Sequence, residues 1–305
     1  VALELFQRIR TESGIIPNAT AFSCAMKACG RIEALKKAKM IHEEIVNIGY
    51  ESNMIVGSSL VDMYVRCKCL EEARQVFDNL PNRDLVSWAS MVAGYASHGC
   101  GISALDLYKK MQYDGMKPDK VTFLCVLKAC GSVGSIKHGN LVFDEITRDG
   151  FESDVMIGNA LIDMYMKCGR LESAQKVFVK LCIRNVVAWG AMIAGYVQEG
   201  DISDAFKLFD HMVDQRIEPD EGLYACIFKA CTLTGVARKL GILLHDRVIR
   251  NGFDNISIVS NAIIYMYGSC GSLREARKVL DNMANKDVIS WSSLITGLAL
   301  NGNNV

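Results

Sequence analysis

No run of apolar residues reaches the ~18 that a membrane-spanning helix needs, although half of the residues are apolar. No signal or transit peptide is recognisable, because Val1 already lies in an amphipathic stretch, VALELFQRIR. Both ends are expected to be cut from a longer array. Neither sign of charge is in excess: 34 Lys and Arg face 34 Asp and Glu. That excludes a general basic field, so a polyanion would have to be met by local charges. There is no glycine-rich phosphate loop, no nucleophile elbow and no pair of catalytic carboxylates, which argues against an enzyme. The five histidines and twelve cysteines show no HxxxH or CxxC spacing, which argues against a metal. Proline is limited to four residues, all in turn positions: Pro17, Pro81, Pro118 and Pro219. No segment is of low complexity, and the composition is that of a folded chain.

What the chain does contain is copies of itself. Residues 58–77 read SSLVDMYVRCKCLEEARQVF, residues 159–178 NALIDMYMKCGRLESAQKVF, and residues 261–280 NAIIYMYGSCGSLREARKVL. The offsets are 101 and 102 residues. Each copy is two amphipathic helices joined by a tight turn. In the middle copy, Ala160, Leu161, Met164 and Tyr165 share one side of the first helix. Leu171, Ala174, Val177, Phe178 and Leu181 share a face of the second. Helices of about three turns cannot hold an apolar stripe alone, so each needs its neighbours.

The period subdivides into segments of 35, 31 and 35 residues. One long kind opens with AFSCAMKAC (21–29), TFLCVLKAC (122–130) or LYACIFKAC (223–231). The other long kind carries all three tryptophans, Trp88, Trp189 and Trp291, in one phase. The predicted array is a partial repeat at 1–18, complete repeats at 19–53, 54–84, 85–119, 120–154, 155–185, 186–220, 221–256 and 257–287, and a first helix at 288–305. Repeat 221–256 carries one extra residue, placed between Thr232 and Leu244. About eighteen helices are expected, all-α, stacking into a right-handed solenoid without a domain boundary.

Phase also explains the cysteines. Cys24, Cys125 and Cys226 share one repeat position, Cys29, Cys130 and Cys231 another, and Cys67, Cys168 and Cys270 a third. Cysteine in phase reads as a small apolar packing residue, and so many free thiols favour a reducing compartment. His42-Glu43-Glu44 matches the HxE of zinc deaminases but has no PCxxC downstream. His42 falls in phase with His245 and reads as repeat consensus. Glu71, Glu72 and Arg74 read as the solvated face of a second helix.

These motifs resemble the pentatricopeptide repeat family. More narrowly, the alternation of long, long and short repeats is similar to its plant PLS subclass, and the likeness covers the whole chain. The resemblance implies sequence-specific binding of single-stranded organellar RNA, one repeat per base. It implies a specificity factor in RNA processing, C-to-U editing above all, in a mitochondrion or chloroplast. It also implies small editing cofactor proteins as partners at the long KAC repeats, where Leu124 and Ala225 are apolar. It implies no small-molecule cofactor. The family's terminal extension and deaminase domain have no counterpart here, so the chemistry is expected to lie elsewhere.

The family reads a base with the fifth and last residues of each repeat. Here those pairs are Ser23/Asn53, Ser58/Asp84, Ala89/Asp119, Leu124/Asp154, Asn159/Asn185, Gly190/Asp220, Ala225/Ile256 and Asn261/Asp287, with Ser292 fifth in the last segment. A short Ser leaves room for a purine, and a longer Asn reaches a pyrimidine. Asp only accepts, which suits the ring N–H of U or G, whereas Asn can donate to the bare ring nitrogen of A or C. By this rule Ser58/Asp84 reads G, Asn261/Asp287 reads U, Asn159/Asn185 reads C and then U, and Ser23/Asn53 reads A. Asp119, Asp154 and Asp220, whose fifth partners are not polar, are weaker readers, and so is Ser292. Read from the residues alone, Asn159 and Asn261 are helix caps rather than base contacts, a reading the resemblance reverses. Ile55, Met156 and Ile258, second in the short repeats, are either base-sandwiching residues or helix-start packing. Arg31, Arg66 and Lys167 end first helices, where phosphates could lie.

A protein-binding scaffold of the tetratricopeptide kind is the competing reading. The 31-residue repeats fit poorly with its uniform period of about 34 residues.

Overall fold

The computed structural model describes residues 2–12, 16–233 and 237–300. They hold eighteen α-helices and no strand. In chain order these are α1 (Ala2–Glu12), α2 (Ala19–Arg31), α3 (Leu35–Ile48), α4 (Met54–Arg66), α5 (Leu70–Asn79), α6 (Leu85–Ser97), α7 (Gly101–Tyr113), α8 (Lys120–Val133) and α9 (Ile136–Arg148). They continue with α10 (Val155–Lys167), α11 (Leu171–Lys180), α12 (Val186–Glu199), α13 (Ile202–Asp214), α14 (Glu221–Cys231), α15 (Ala237–Arg250), α16 (Ser257–Ser269), α17 (Leu273–Asn282) and α18 (Val288–Leu300). The chain forms two compact units, Val1–Cys168 and Gly169–Val305, each described by itself. The extra residue of repeat 221–256 was placed in a segment that includes 234–236, which lie outside the described residues.

In the first unit, α2, α4, α6, α8 and α10 pack one on the next as an inner layer. The second helix of each hairpin lies on its own first helix and on the first helix that follows, as α3 does on α2 and α4. The second unit repeats this with α12, α14, α16 and α18 inside, and α13, α15 and α17 outside. An inner helix is therefore covered on several sides and an outer helix on one. The sequence follows suit: α4 buries Leu60, Val61, Met63 and Tyr64, whereas α5 buries only Ala73 and Phe77. A large apolar side chain so buried, such as Leu60, Met63 or Phe77, contributes about 1.5–3 kcal/mol relative to exposure.

Small residues set the inner spacing. A Cβ on Gly30 of α2 would lie 2.9 Å from Cδ of Arg66, and one on Gly131 of α8 would lie 3.2 Å from Cδ of Lys167. Glycine at these two points lets the stem of a basic residue on the next inner helix lie across the helix. Trp88 and Trp189 are buried, each edge-on to a phenylalanine of the preceding outer helix, Phe77 at 4.8 Å and Phe178 at 4.9 Å between ring centres.

Candidate functional site

The helix boundaries fix where the residues expected to read bases lie. The first residue of every complete repeat is also the first residue of an inner helix: Ala19, Met54, Leu85, Lys120, Val155, Val186, Glu221 and Ser257. The last residue of the repeat before it is thereby the N-cap, where a short polar side chain accepts an otherwise unpaired backbone N–H. Oδ1 of Asn53 accepts from Ile55 and Val56, and Oδ1 of Asp84 from Ser87. Oδ1 of Asp119 accepts from Thr122, that of Asn185 from Ala188, that of Asp220 from Leu223, and that of Asp287 from Ser290. Asp154 accepts from Met156 and Ile157. Ile256 makes no side-chain cap. Asn18 caps α2 in the same way and was missed as a code residue, although it is last in the partial repeat 1–18.

Capping orients each side chain. An asparagine whose Oδ1 faces the helix presents its Nδ2 donors away from it. An aspartate in the same pose presents Oδ2, an acceptor. The donor or acceptor character of the last residue is thus held by the backbone rather than left to rotate.

The turn before the cap holds it as well. Arg83, next to Asp84, donates from Nε to the Phe77 carbonyl at 3.0 Å and from its guanidinium to the Asp78 carbonyl at 3.0 Å. Its charge lies 4.9 Å above the Phe77 ring and 5.9 Å from Trp88. Arg184, next to Asn185, donates to the carbonyls of Phe178 and Val179 in the same way. Both arginines close the C-terminus of a short outer helix, and neither was singled out in the sequence.

The fifth residues lie one turn inside the inner helices. Ser58 Oγ is 2.8 Å from Asp84 Oδ1 and 2.7 Å from the Met54 carbonyl, so repeat 54–84 brings its two code residues together. Ser23 instead bonds Ser59 of the next inner helix at 2.7 Å, away from Asn53. Asn159 and Asn261 are not caps. They sit one turn into α10 and α16, and the cap position is held by Asp154 and Ile256. Asn261 is buried with its Oδ1 lacking a partner among the described residues, a costly arrangement unless something else supplies a donor. Asn159 belongs to the first unit and Asn185 to the second. Ser292 is exposed and bonds the Ile289 carbonyl at 3.0 Å.

Not all aspartate caps are alike. Among the described residues Asp84 uses Oδ1 alone, for the Ser87 N–H and the Ser58 hydroxyl. Asp119 and Asp287 likewise use Oδ1 for both the backbone and a hydroxyl, Thr122 and Ser290. Asp154 commits both oxygens, because Lys120 Nζ sits 2.6 Å from its Oδ2. That ion pair holds the Asp154 carboxyl below the usual carboxylate range.

Ile55, Met156 and Ile258 are 54%, 56% and 52% exposed. Helix-start packing would bury them. The same second position holds Val86, Val121, Val187 and Ile289 in four of the long segments, exposed to a similar degree, and Thr20 and Gly222 in the other two. The four apolar ones were legible by phase but missed. Arg31 is exposed at the end of α2. Arg66 and Lys167 are each ion-paired four residues back, to Asp62 at 2.8 Å and Asp163 at 2.7 Å, so their charge is locally balanced.

The phased cysteines divide by burial. Cys29, Cys130 and Cys231 are fully buried, and burial pushes the thiols of Cys130 and Cys231 up to about 12. His42 and His245 each bond a tyrosine of the next inner helix, Tyr64 at 2.8 Å and Tyr267 at 3.1 Å, and burial lowers the pKa of both rings. The shared contact fits repeat consensus.

Comparison with known proteins places these repeats. A model of a PPR repeat family matches residues 83–132 and 184–232, a model of a pentatricopeptide repeat domain 141–181, and a PPR repeat model 58–85 and 258–288. A chloroplastic pentatricopeptide repeat-containing protein of Arabidopsis thaliana is 35% identical over 99% of this chain and 37% of its own length. A mitochondrial one from the same plant is 34% identical over 92% of this chain and 44% of its own. The chain thus spans less than half of these curated relatives. Among solved structures, the pentatricopeptide repeat protein PPR10 in complex with an 18-nt psaJ RNA element superposes with a TM-score of 0.71. It is 16% identical and the match covers 97% of this chain and 50% of that one, a likeness of fold.

Proposed function

Because the chain belongs to the pentatricopeptide repeat family, we propose that it binds single-stranded RNA, with successive repeats facing successive bases. The observation that carries this reading is the cap. In repeat 54–84 a single oxygen of Asp84 serves the helix and Ser58, and the other is held as an acceptor. A base edge with a ring N–H, such as guanine, complements it. The half-exposed apolar residue at the second position of every short repeat, and of most long ones, supplies a face on which a base can stack. Phosphates fall to Arg31, and to Arg66 and Lys167 if they exchange a carboxylate for a phosphate.

Within this reading the chain is of the PLS subclass and specifies sites for C-to-U editing of organellar transcripts. The alternation of repeat lengths supports the subclass, and relatives named chloroplastic or mitochondrial support the compartment. Small editing cofactors would dock at the long KAC repeats, against the half-buried Leu124 and Ala225.

The test is substitution at the cap. Asp84→Asn keeps the cap, because Asn also accepts through Oδ1, but turns the second polar atom from acceptor to donor. Preference at the facing base is expected to move from G to A by about 1–3 kcal/mol. Asn185→Asp is expected to move preference from C to U by a similar amount, with Asn261/Asp287 as the unaltered U-reading control. Affinities for four RNAs differing at one base, at fixed salt, measure this. Equal weakening of all four would show that these residues only support the helix.

A further inference from the structure

Of the nine inner helices described, only α8 opens on a cation. The opening residues are Ala19, Met54, Leu85, Lys120, Val155, Val186, Glu221, Ser257 and Val288. Lys120 lies four residues before Leu124, so the two share one face of α8. Its ammonium reaches the cap of the next inner helix, Asp154, at 2.6 Å. Asp154 is already held through Oδ1 by two backbone N–H groups, at 2.9 and 3.1 Å. It therefore cannot turn away, and Lys120 closes on the one oxygen left. Both side chains are partly shielded, at 36% and 28% exposed, which strengthens the pair modestly relative to one in open water.

The consequence concerns what a base would meet. At Asp84 the second carboxylate oxygen has no protein partner among the described residues, and a ring N–H can donate to it. At Asp154 the equivalent oxygen already accepts from an ammonium. We infer that Lys120 is a specificity-determining residue that masks the Asp154 acceptor and leaves repeat 120–154 indifferent to its base. The inference rests on the RNA-reading function proposed above. Under it, repeat 120–154 carries an aspartate at its last position without selecting U or G. The apolar fifth residue, Leu124, does not by itself produce that indifference, since the acceptor that selects a ring N–H belongs to Asp154.

Unmasking tests it. Four RNAs differing only at the base facing residues 120–154 are titrated against the wild-type chain, Lys120→Met, and Lys120→Met combined with Asp154→Asn. Methionine keeps the length and helix propensity of the side chain and removes the ammonium. A second set of four RNAs, varied at the base facing residues 54–84, is measured in parallel. The wild type is expected to bind the first set within about twofold. Lys120→Met is expected to favour U and G over A and C by roughly tenfold, the size of an ordinary wrong-base penalty. The double variant is expected to move that preference to A and C, because the asparagine cap presents a donor. Loss of the positive charge lowers all four affinities together, so the ratio is the readout.

If Lys120 were only a staple between helices, its removal would lower the melting temperature and leave the ratios flat. Flat ratios in Lys120→Met, with clear discrimination in the second set, overturn the masking. A wild type that already favours U or G in the first set overturns it as well. Flat ratios in both sets overturn base reading itself, and the masking with it.

Discussion

Repeats 54–84 and 120–154 carry the same cap chemistry in different surroundings. Both end on an aspartate that starts an inner helix, Asp84 for α6 and Asp154 for α10. Asp84 receives its fifth residue, Ser58, on the oxygen that serves the helix and keeps the other oxygen open. Asp154 has an apolar fifth residue, and its second oxygen is taken by Lys120. The lesson is that the residue type at a code position does not settle what the position offers. A side chain 34 residues away, brought near by hairpin stacking, decides whether an aspartate remains an acceptor. The supports differ too. Asp84 follows Arg83 over the Phe77–Trp88 pair, whereas the turn before Asp154 is held by Phe151 against Phe123, at 5.8 Å between ring centres.

The largest effect is expected at those supports. Trp88→Ala empties a buried site and removes the farther of the two rings against Arg83. It leaves the nearer ring, Phe77, under Arg83 and is expected to cost about 3–5 kcal/mol, the range for a large aromatic lost from a core. Phe151 is only half-buried, so Phe151→Ala is expected to cost less. Thermal and urea unfolding of the intact chain measures both. Equal costs would mean that the two caps rest on equivalent ground.

A smaller effect separates the cap from the ion pair. Asp84→Ala and Asp154→Ala each remove a cap and are expected to cost about 0.5–2 kcal/mol. Asp154→Asn keeps the cap and loses the attraction to Lys120, which at a partly exposed site is about 0–1 kcal/mol. If Asp154→Asn proves as costly as Asp154→Ala, Lys120 is the main support of that turn and the contrast with Asp84 is one of stability.

Much of this was legible before any coordinates. An inner helix begins at Ala19, Met54, Leu85, Lys120, Val155, Val186, Glu221 and Ser257, where the apolar phase of the sequence restarts, because a two-helix unit has few places for its turns. The caps were legible too, yet capping is weighed only for Asn159 and Asn261, as the alternative to base reading. The better signal was an Asp or Asn immediately before each apolar run, as at Asn18, Asp84 and Asp220. The Lys120–Asp154 pair was not legible. It joins residues from two repeats, and no local pattern in either predicts it. The exposure of Ile55 and Met156 likewise depends on which face the neighbouring helices leave open.

The smallest effect concerns the turn inside each repeat. In repeat 120–154 the outer helix begins after Gly134, which adopts φ of 69°. In repeat 54–84 the matching turn uses Lys68, with φ of 62°, where the sister short repeats have Gly169 and Gly271 at 65° and 72°. A left-handed residue with a Cβ costs about 1–2 kcal/mol, and glycine avoids that cost while losing more freedom on folding. Lys68 also pairs with Glu33 at 3.8 Å, but both side chains are more than 60% exposed, so the pair adds little. Balancing these, Lys68→Gly is expected to stabilise the chain by about 0.5–1 kcal/mol, whereas Gly134→Lys is expected to destabilise it by a similar amount. Base preference at Asp84 is expected to stay as it is, since the turn lies at the other end of α4 from Ser58. A loss of stability in Lys68→Gly would show that the Glu33 pair outweighs the backbone strain, and the two turns would then differ by design of charge.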